Sequence, residues 1–434
     1  MDQIAQGLGS KEAMARLEKG LQPLRDSVAA RRGPVSIRFA HTTTGGAERP
    51  VMTWALKEFG RRHPDIAVTE IAMDDDIYED LGLITMFTDG RPPDVYSQWG
   101  GWLVGKYARI GYAKDLTDDL NIDAWGDEID GRAWPPATWR GRRYMIPTAF
   151  SVTTLYWYDR ARLADCGGEE PKSWDGLLKM GDCIRLGGRA PFAFGNREKW
   201  PLGNWAAHLV NRAMGDVGYR RLLSLDPDMP FTHSEVAKAF ELIADAAQKK
   251  MFNDGFTALS DDEALIEFLH GRAVFLPLGN WIASMLPELA PPEMEVGGFN
   301  LPPLEGGLGD QTSIIGLTTG YMVSATTDFP DEALDLLRWL SSVEVQSRMV
   351  AAGSYSTTRA AVGDTTALTP ALKVVRRIYE SGTSIVPAPD VGFDPAMADL
   401  FYDAAAAIAD GYLSVDQALE RAQLASESLR RQLP

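Results

Sequence analysis

Cysteine and histidine are scarce: a chain of 434 residues carries two of the former, Cys166 and Cys183, and five of the latter. Neither cysteine has metal-ligand spacing and no HExxH or CxxC occurs, so no zinc site, and no metal or cofactor of any kind, is expected. Two reduced, buried thiols are the expected state of Cys166 and Cys183, with a disulfide as the alternative that an oxidising compartment would permit. No apolar run approaches the roughly 18 residues that span a bilayer. Positive charge is short as well, with 43 Lys and Arg against 60 Asp and Glu and a net charge of -17. Nucleic-acid binding needs clustered cations and is not expected; nor is adhesion to anionic membranes. Residues 1–32 show no basic start, apolar stretch and small-residue cleavage site, and no lipid-attachment cysteine lies near Met1. Leu17, Leu21, Leu24 and Val28 instead recur at helical spacing, which predicts an amphipathic helix docked on a neighbouring lobe. Two origins stay open: a chain whose export signal has been removed, or a cytoplasmic protein.

With 45% hydrophobic and 24% charged residues the composition is that of a soluble globular protein, and the length suggests two or three domains. Residues 35–40 read as a strand, HTTTGG at 41–46 as a loop and 49–63 as a helix stopped by Pro64. A strand at 66–71, a helix at 78–87 and a strand at 94–97 follow. Strand and helix in alternation with short loops imply a parallel sheet, whose ligands sit where the loops leave the strands' carboxyl ends. Strands are next expected at 143–146 and 153–158, with PTAFS at 147–151 joining them as a loop. Ser173 is the predicted N-cap of a helix starting at Trp174. Helices are expected near 202–214, 234–249 and 261–270, strands at 273–276, 296–299 and 314–323, and mostly helix from Pro330 on.

Several stretches in this order resemble the carbohydrate-binding proteins of bacterial ABC importers, of the maltose- and glucose-binding kind. They are FGRRHPDIAVTEI, GRPPDVYSQWGGWLVGKYARIGYAKDLTDDL, YMIPTAFSVTTLYWYDRARLADCGGEEPKSWDGLL and FLHGRAVFLPLGNW, within a match over nearly all of residues 35–430. The resemblance implies an α/β, periplasmic-binding-protein-like fold: two lobes, a three-segment hinge and a central ligand cleft. The crossings are placed near 147–150, 316–319 and 353–358. One lobe is then 35–148 plus 318–357 and the other 149–317 plus 358–434, with 1–34 an N-terminal helix and linker. The implied function is to bind a mono- or oligosaccharide in the cleft, without catalysis, and deliver it to the permease subunits of an importer. A monomer in the periplasm, or outside the cell at the membrane, is implied too. The family usually shows an export signal, and positions often acidic near Thr319 are neutral here.

A sugar presents flat C–H faces and a rim of hydroxyls, so its site needs aromatic platforms beside amides and hydroxyls. Trp281, after the Gly279-Asn280 turn, matches the family's stacking tryptophan; core packing is its alternative. Trp99 leaves the third strand, with Ser97 and Gln98 beside it. FGNREKWPLGNW at 194–205 interleaves Asn196, Arg197 and Trp200 with Asn204 and Trp205, and one tryptophan of so close a pair usually packs in a core. His41 and Thr43 follow the first strand, where His41 could equally be a satisfied loop histidine. Phe150 and Ser151 belong to the first crossing, Thr319 and Tyr321 to the second, Tyr355 and Arg359 to the third, and Asn280 to the turn before Trp281. Asp74, Asp75 and Asp76 read as a solvated loop or helix cap more readily than as the carboxylate pair of a glycosidase. Neither GxxxxGK[ST] nor GxSxG is present. The rivals are a glycerophosphodiester or polyol binder of the same fold, given room by Arg197, Lys199 and Arg359, a carbohydrate-acting enzyme, and a cytoplasmic sensor.

Overall fold

The computed structural model describes residues 35–362, 368–382 and 384–431, so the predicted N-terminal helix lies outside the described residues. Strand β1 (Val35–His41), helix α1 (Glu48–Arg62), β2 (Ile66–Ala72) and β3 (Val95–Trp99) form the predicted parallel unit, with β1 between β2 and β3. Helix α1 buries Met52, Ala55 and Phe59, one face at spacings of three and four. The helix expected at 78–87 runs from Asp75 to Thr88 through a π turn at Tyr78–Gly82. There the Tyr78 hydroxyl donates to the Ser97 carbonyl at 2.8 Å, tying the turn to the end of β3.

The chain departs from expectation between residues 138 and 159. Arg142–Arg143 (β5) pairs with Thr138–Trp139 (β4), because Arg140 and Gly141 both take positive φ, 49° and 76°, in a tight hairpin turn. The segment 147–151, expected to be a loop, lies inside strand β6 (Ile146–Val152), and β7 (Leu155–Asp159) follows after only two residues. Pro147 is tolerated in β6 because the ladder shifts register opposite it, between Thr319 and Gly320.

Helix α2 (Trp174–Leu186) starts as predicted, with the Ser173 side chain accepting from the Gly176 N–H. After β8 (Ala190–Phe192) comes α3 (Trp200–Leu223), longer than expected and broken at Gly215, where φ is 78°. Helix α4 (Asp261–Leu269) opens with a capping box of Ser260 and Glu263. Then come β9 (Ala273–Leu278), α5 (Ile282–Leu289), β10 (Val296–Phe299) and β11 (Ile314–Val323). The second sheet has the order β10-β7-β9-β8, and β9 is buried at every position.

Strand β11 joins three other strands of the first sheet. Its start pairs with β12 (Ile385–Pro387), its end with β3, and its middle with β6. The segment after helix α6 (Val343–Ala352) joins from the other side: Ala149 bridges to Ser356, Phe150 N–H donates to the Tyr355 carbonyl, and the Thr357 hydroxyl donates to Pro147 O at 2.6 Å. The segments expected to cross therefore run side by side.

Cys166 and Cys183 form a disulfide, with Cα atoms 5.9 Å apart, and both are half-buried. This corrects the expectation of buried thiols. Gly167 and Gly168, with φ of 104° and 75°, reverse the chain and lay Cys166 beside α2. Closing a loop with a sequence separation of 17 stabilises by about 3 kcal/mol in the chain-entropy account. Denaturation with and without reductant should show a loss of that order, reproduced by Cys166→Ser/Cys183→Ser; equal midpoints would show that the bridge adds no stability.

Candidate functional site

The crossing strands floor a cleft of about 500 Å³. From the first sheet come the carboxyl ends of β1 and β3, with His41, Thr43, Ser97 and Trp99. The crossings supply Phe150, Ser151, Thr319, Tyr321 and Tyr355. From the second sheet's side come Trp200 at the start of α3 and Asn280 and Trp281 after β9. Tryptophans reach the cleft because they sit at element ends, where a side chain leaves the packed layer without filling its interior.

Trp200 and Trp281 are half-buried, with ring centroids 5.6 Å apart and planes at 60°. A Cβ on Gly279 would meet the Trp281 ring at 1.8 Å, so only glycine there lets the indole lie over the turn. Trp99 is half-buried too, its ring edge-on to Tyr78 at 6.2 Å. Trp205 is fully buried and donates to the Tyr156 hydroxyl, so it is the core member of the close pair.

Other residues are already engaged. His41 is fully buried; its Nδ1 accepts from Thr43 N–H at 3.1 Å and its Nε2 lies 2.9 Å from Glu70. Burial outweighs the Glu70 carboxylate and lowers the His41 pKa, and both ring nitrogens are occupied. The Asn280 amide pins the hinge, its Oδ1 accepting from Val152 N–H at 2.8 Å. Four sequence candidates are not among the cleft-lining residues. Gln98 is buried and folds back on the Trp99 N–H; Asn196 caps α3 through Leu202 N–H. Arg197 is exposed and pairs with Glu198 and Glu263, while the Arg359 guanidinium donates to the Ile129 carbonyl.

Two features of the cleft escaped sequence reasoning. Glu48, Asp74, Asp75, Asp261, Asp262 and Asp390 all line it, and among the described residues no lysine or arginine does. Desolvation, then the charge of Asp75, pushes the Glu48 carboxyl up to about 7. Desolvation likewise raises Asp261, beside Asp262, and Asp390 to about 6 each. In sequence these acids look like residues of a helix's first turn, where they suit the macrodipole, and nothing local marks their convergence. The second feature is open hydrogen-bonding capacity: Ser97 Oγ and Asn204 Oδ1 are buried with no partner. Among the described residues no group of three or more His, Cys, Asp or Glu is placed to hold a metal ion.

A model of the bacterial extracellular solute-binding proteins matches residues 45–347. The chain belongs to that family. An uncharacterised ABC transporter extracellular-binding protein of Pyrococcus horikoshii is 23% identical over 301 residues, 68% of this chain and 66% of its own. The match thus spans about two thirds of that relative's length. Among solved structures, a protein from work on xylan utilisation by Caldanaerobius polysaccharolyticus superposes with a TM-score of 0.83 at 21% identity, covering 90% of this chain and 99% of that one. A chitin oligosaccharide binding protein gives 0.82 at 20% identity, covering 91% and 98%. At such identities the superpositions establish the fold, which is the two-lobed one expected.

The raised carboxyl of Glu48 makes this solute-binding protein's stability pH-dependent. A carboxyl with a folded pKa of about 7 against an ordinary 4.5 contributes fully below 4.5 and loses that contribution as pH rises through 7. Glu48→Gln should therefore raise the melting temperature at pH 8 by about 2 °C relative to its effect at pH 4.5. A gain of the same size at both pH values would contradict the shifted carboxyl.

Proposed function

We propose that this solute-binding protein takes a mono- or oligosaccharide into the cleft and passes it to the permease subunits of an ABC importer. The observation that carries this reading is the combination of half-buried tryptophans at element ends with a polar surround of hydroxyls, an amide and carboxylates. Flat indole faces suit the C–H faces of a pyranose, and acceptors suit its rim of hydroxyls. The chitin oligosaccharide binding protein of the same fold supports it.

The lobes we propose are 35–148 plus 318–357 and 149–317 plus 358–434, which swing about the adjacent crossings and close over the ligand. The protein acts as a monomer, in the periplasm or outside the cell at the membrane, and catalyses nothing; a bound sugar should be recovered unchanged after long incubation. The phosphodiester alternative loses its basis, because Arg197 and Arg359 are engaged elsewhere and Lys199 pairs with Asp403.

Trp281→Ala tests the reading. An aromatic anchor in a binding site is worth about 2 kcal/mol or more, roughly thirtyfold in affinity. A core tryptophan would instead cost about 3–5 kcal/mol of folding stability. The variant should keep the parent's unliganded melting temperature while losing most of the sugar affinity found by thermal-shift screening and calorimetry. A large fall in stability with affinity intact would return Trp281 to the core and refute the assignment.

A further inference from the structure

Six carboxylates line a cleft to which, among the described residues, no lysine or arginine contributes, and the nearby cations are paired elsewhere. Arg49 pairs with Glu70, Arg197 with Glu198 and Glu263, and Lys199 with Asp403. Burial lowers the His41 pKa. Closing such a cleft over an uncharged sugar would strip water from Glu48, Asp261 and Asp390 with no cation in the lining to offset their charge, which is costly in a low-dielectric site. A second observation is independent of the acids. Asn204 is 1% exposed, lines the cleft, and its Oδ1 has no hydrogen-bond partner. Asn204 stands four residues after Trp200 on α3 and so shares its face, which puts an unmet acceptor beside an aromatic platform.

Resting on the sugar-binding reading above, we infer that the ligand is an amino sugar: its ring stacks in the tryptophan cleft and its ammonium group supplies the positive charge that the cleft lining lacks. An ammonium donates three hydrogen bonds and accepts none, which suits a wall of carboxylate and amide oxygens. It is also attracted to indole faces, where a neutral hydroxyl gains far less. The upward shifts of Glu48, Asp261 and Asp390 accord with a site that has too much negative charge until the ligand arrives.

The test is calorimetry on the full chain near pH 7, where sugar amines remain largely protonated. The probes are glucosamine, galactosamine and mannosamine and their short oligomers, each beside its N-acetylated and its hydroxyl counterpart, with an aliphatic diamine as a sugar-free amine. At least one free amine should bind about tenfold or more tighter than both its counterparts, and raised salt should shrink that advantage. Glu48→Gln/Asp261→Asn, checked for an unchanged fold by its melting curve, should lose the preference while still binding the hydroxyl sugar. If hydroxyl or acetylated sugars bind as well as the amines or better, the amino-sugar inference fails and the sugar-binding reading stands. Diamine binding equal to that of the amino sugar would show that the ring contributes nothing and overturn the inference. Absence of binding by the whole panel would overturn both.

Discussion

The fold depends on the ladder between β11 and β6. One ten-residue strand, Ile314–Val323, hydrogen-bonds to β12, β3 and β6, and β6 runs antiparallel beside it before the chain enters the second sheet. Two glycines let the strands approach this closely: a Cβ on Gly316 would meet Ser151 O at 2.5 Å, and one on Gly320 would meet Ile146 O at 2.1 Å. With Tyr355, Ser356 and Thr357 bonded along β6, the crossings form one continuous hydrogen-bonded band. Such a band can twist with small changes at each residue, which is what hinge closure requires.

The same band sets the cleft's chemistry. Alternate residues of a strand face opposite sides, so Thr319 and Tyr321 both look into the cleft while Thr318 and Met322 are buried away from it. Above this polar floor the element ends deliver tryptophans and carboxylates from both sides. Burial pushes the Glu48, Asp261 and Asp390 carboxyls upward, because a buried charge is costly.

Much of this was legible in the chain. The strands Val296–Phe299 and Ile314–Val323 have the predicted bounds, because their apolar runs are flanked by turn residues and charge. The Ser173 cap, the parallel opening unit and the position of Trp281 after Gly279-Asn280 were likewise local matters. By contrast, residues 147–151 became a strand against their proline, since a partner strand with a register shift was available opposite it. Asn196 and Arg197 were drawn into the candidate site by their neighbours, yet one caps its own helix and the other pairs with Glu198 and Glu263.

By itself the sequence determined the elements, their order and the aromatic residues at their ends, since helical and strand periodicity, caps and turns depend on near neighbours. Tertiary structure alone decided which groups meet. The pairing of Cys166 with Cys183 required a glycine turn to bring α2 alongside, and the six carboxylates come from segments as far apart as Glu48 and Asp390. Desolvation and repulsion act through space and vary with separations of a few ångströms, distances that no local pattern encodes. The charge of the cleft is therefore a property of the assembled lobes.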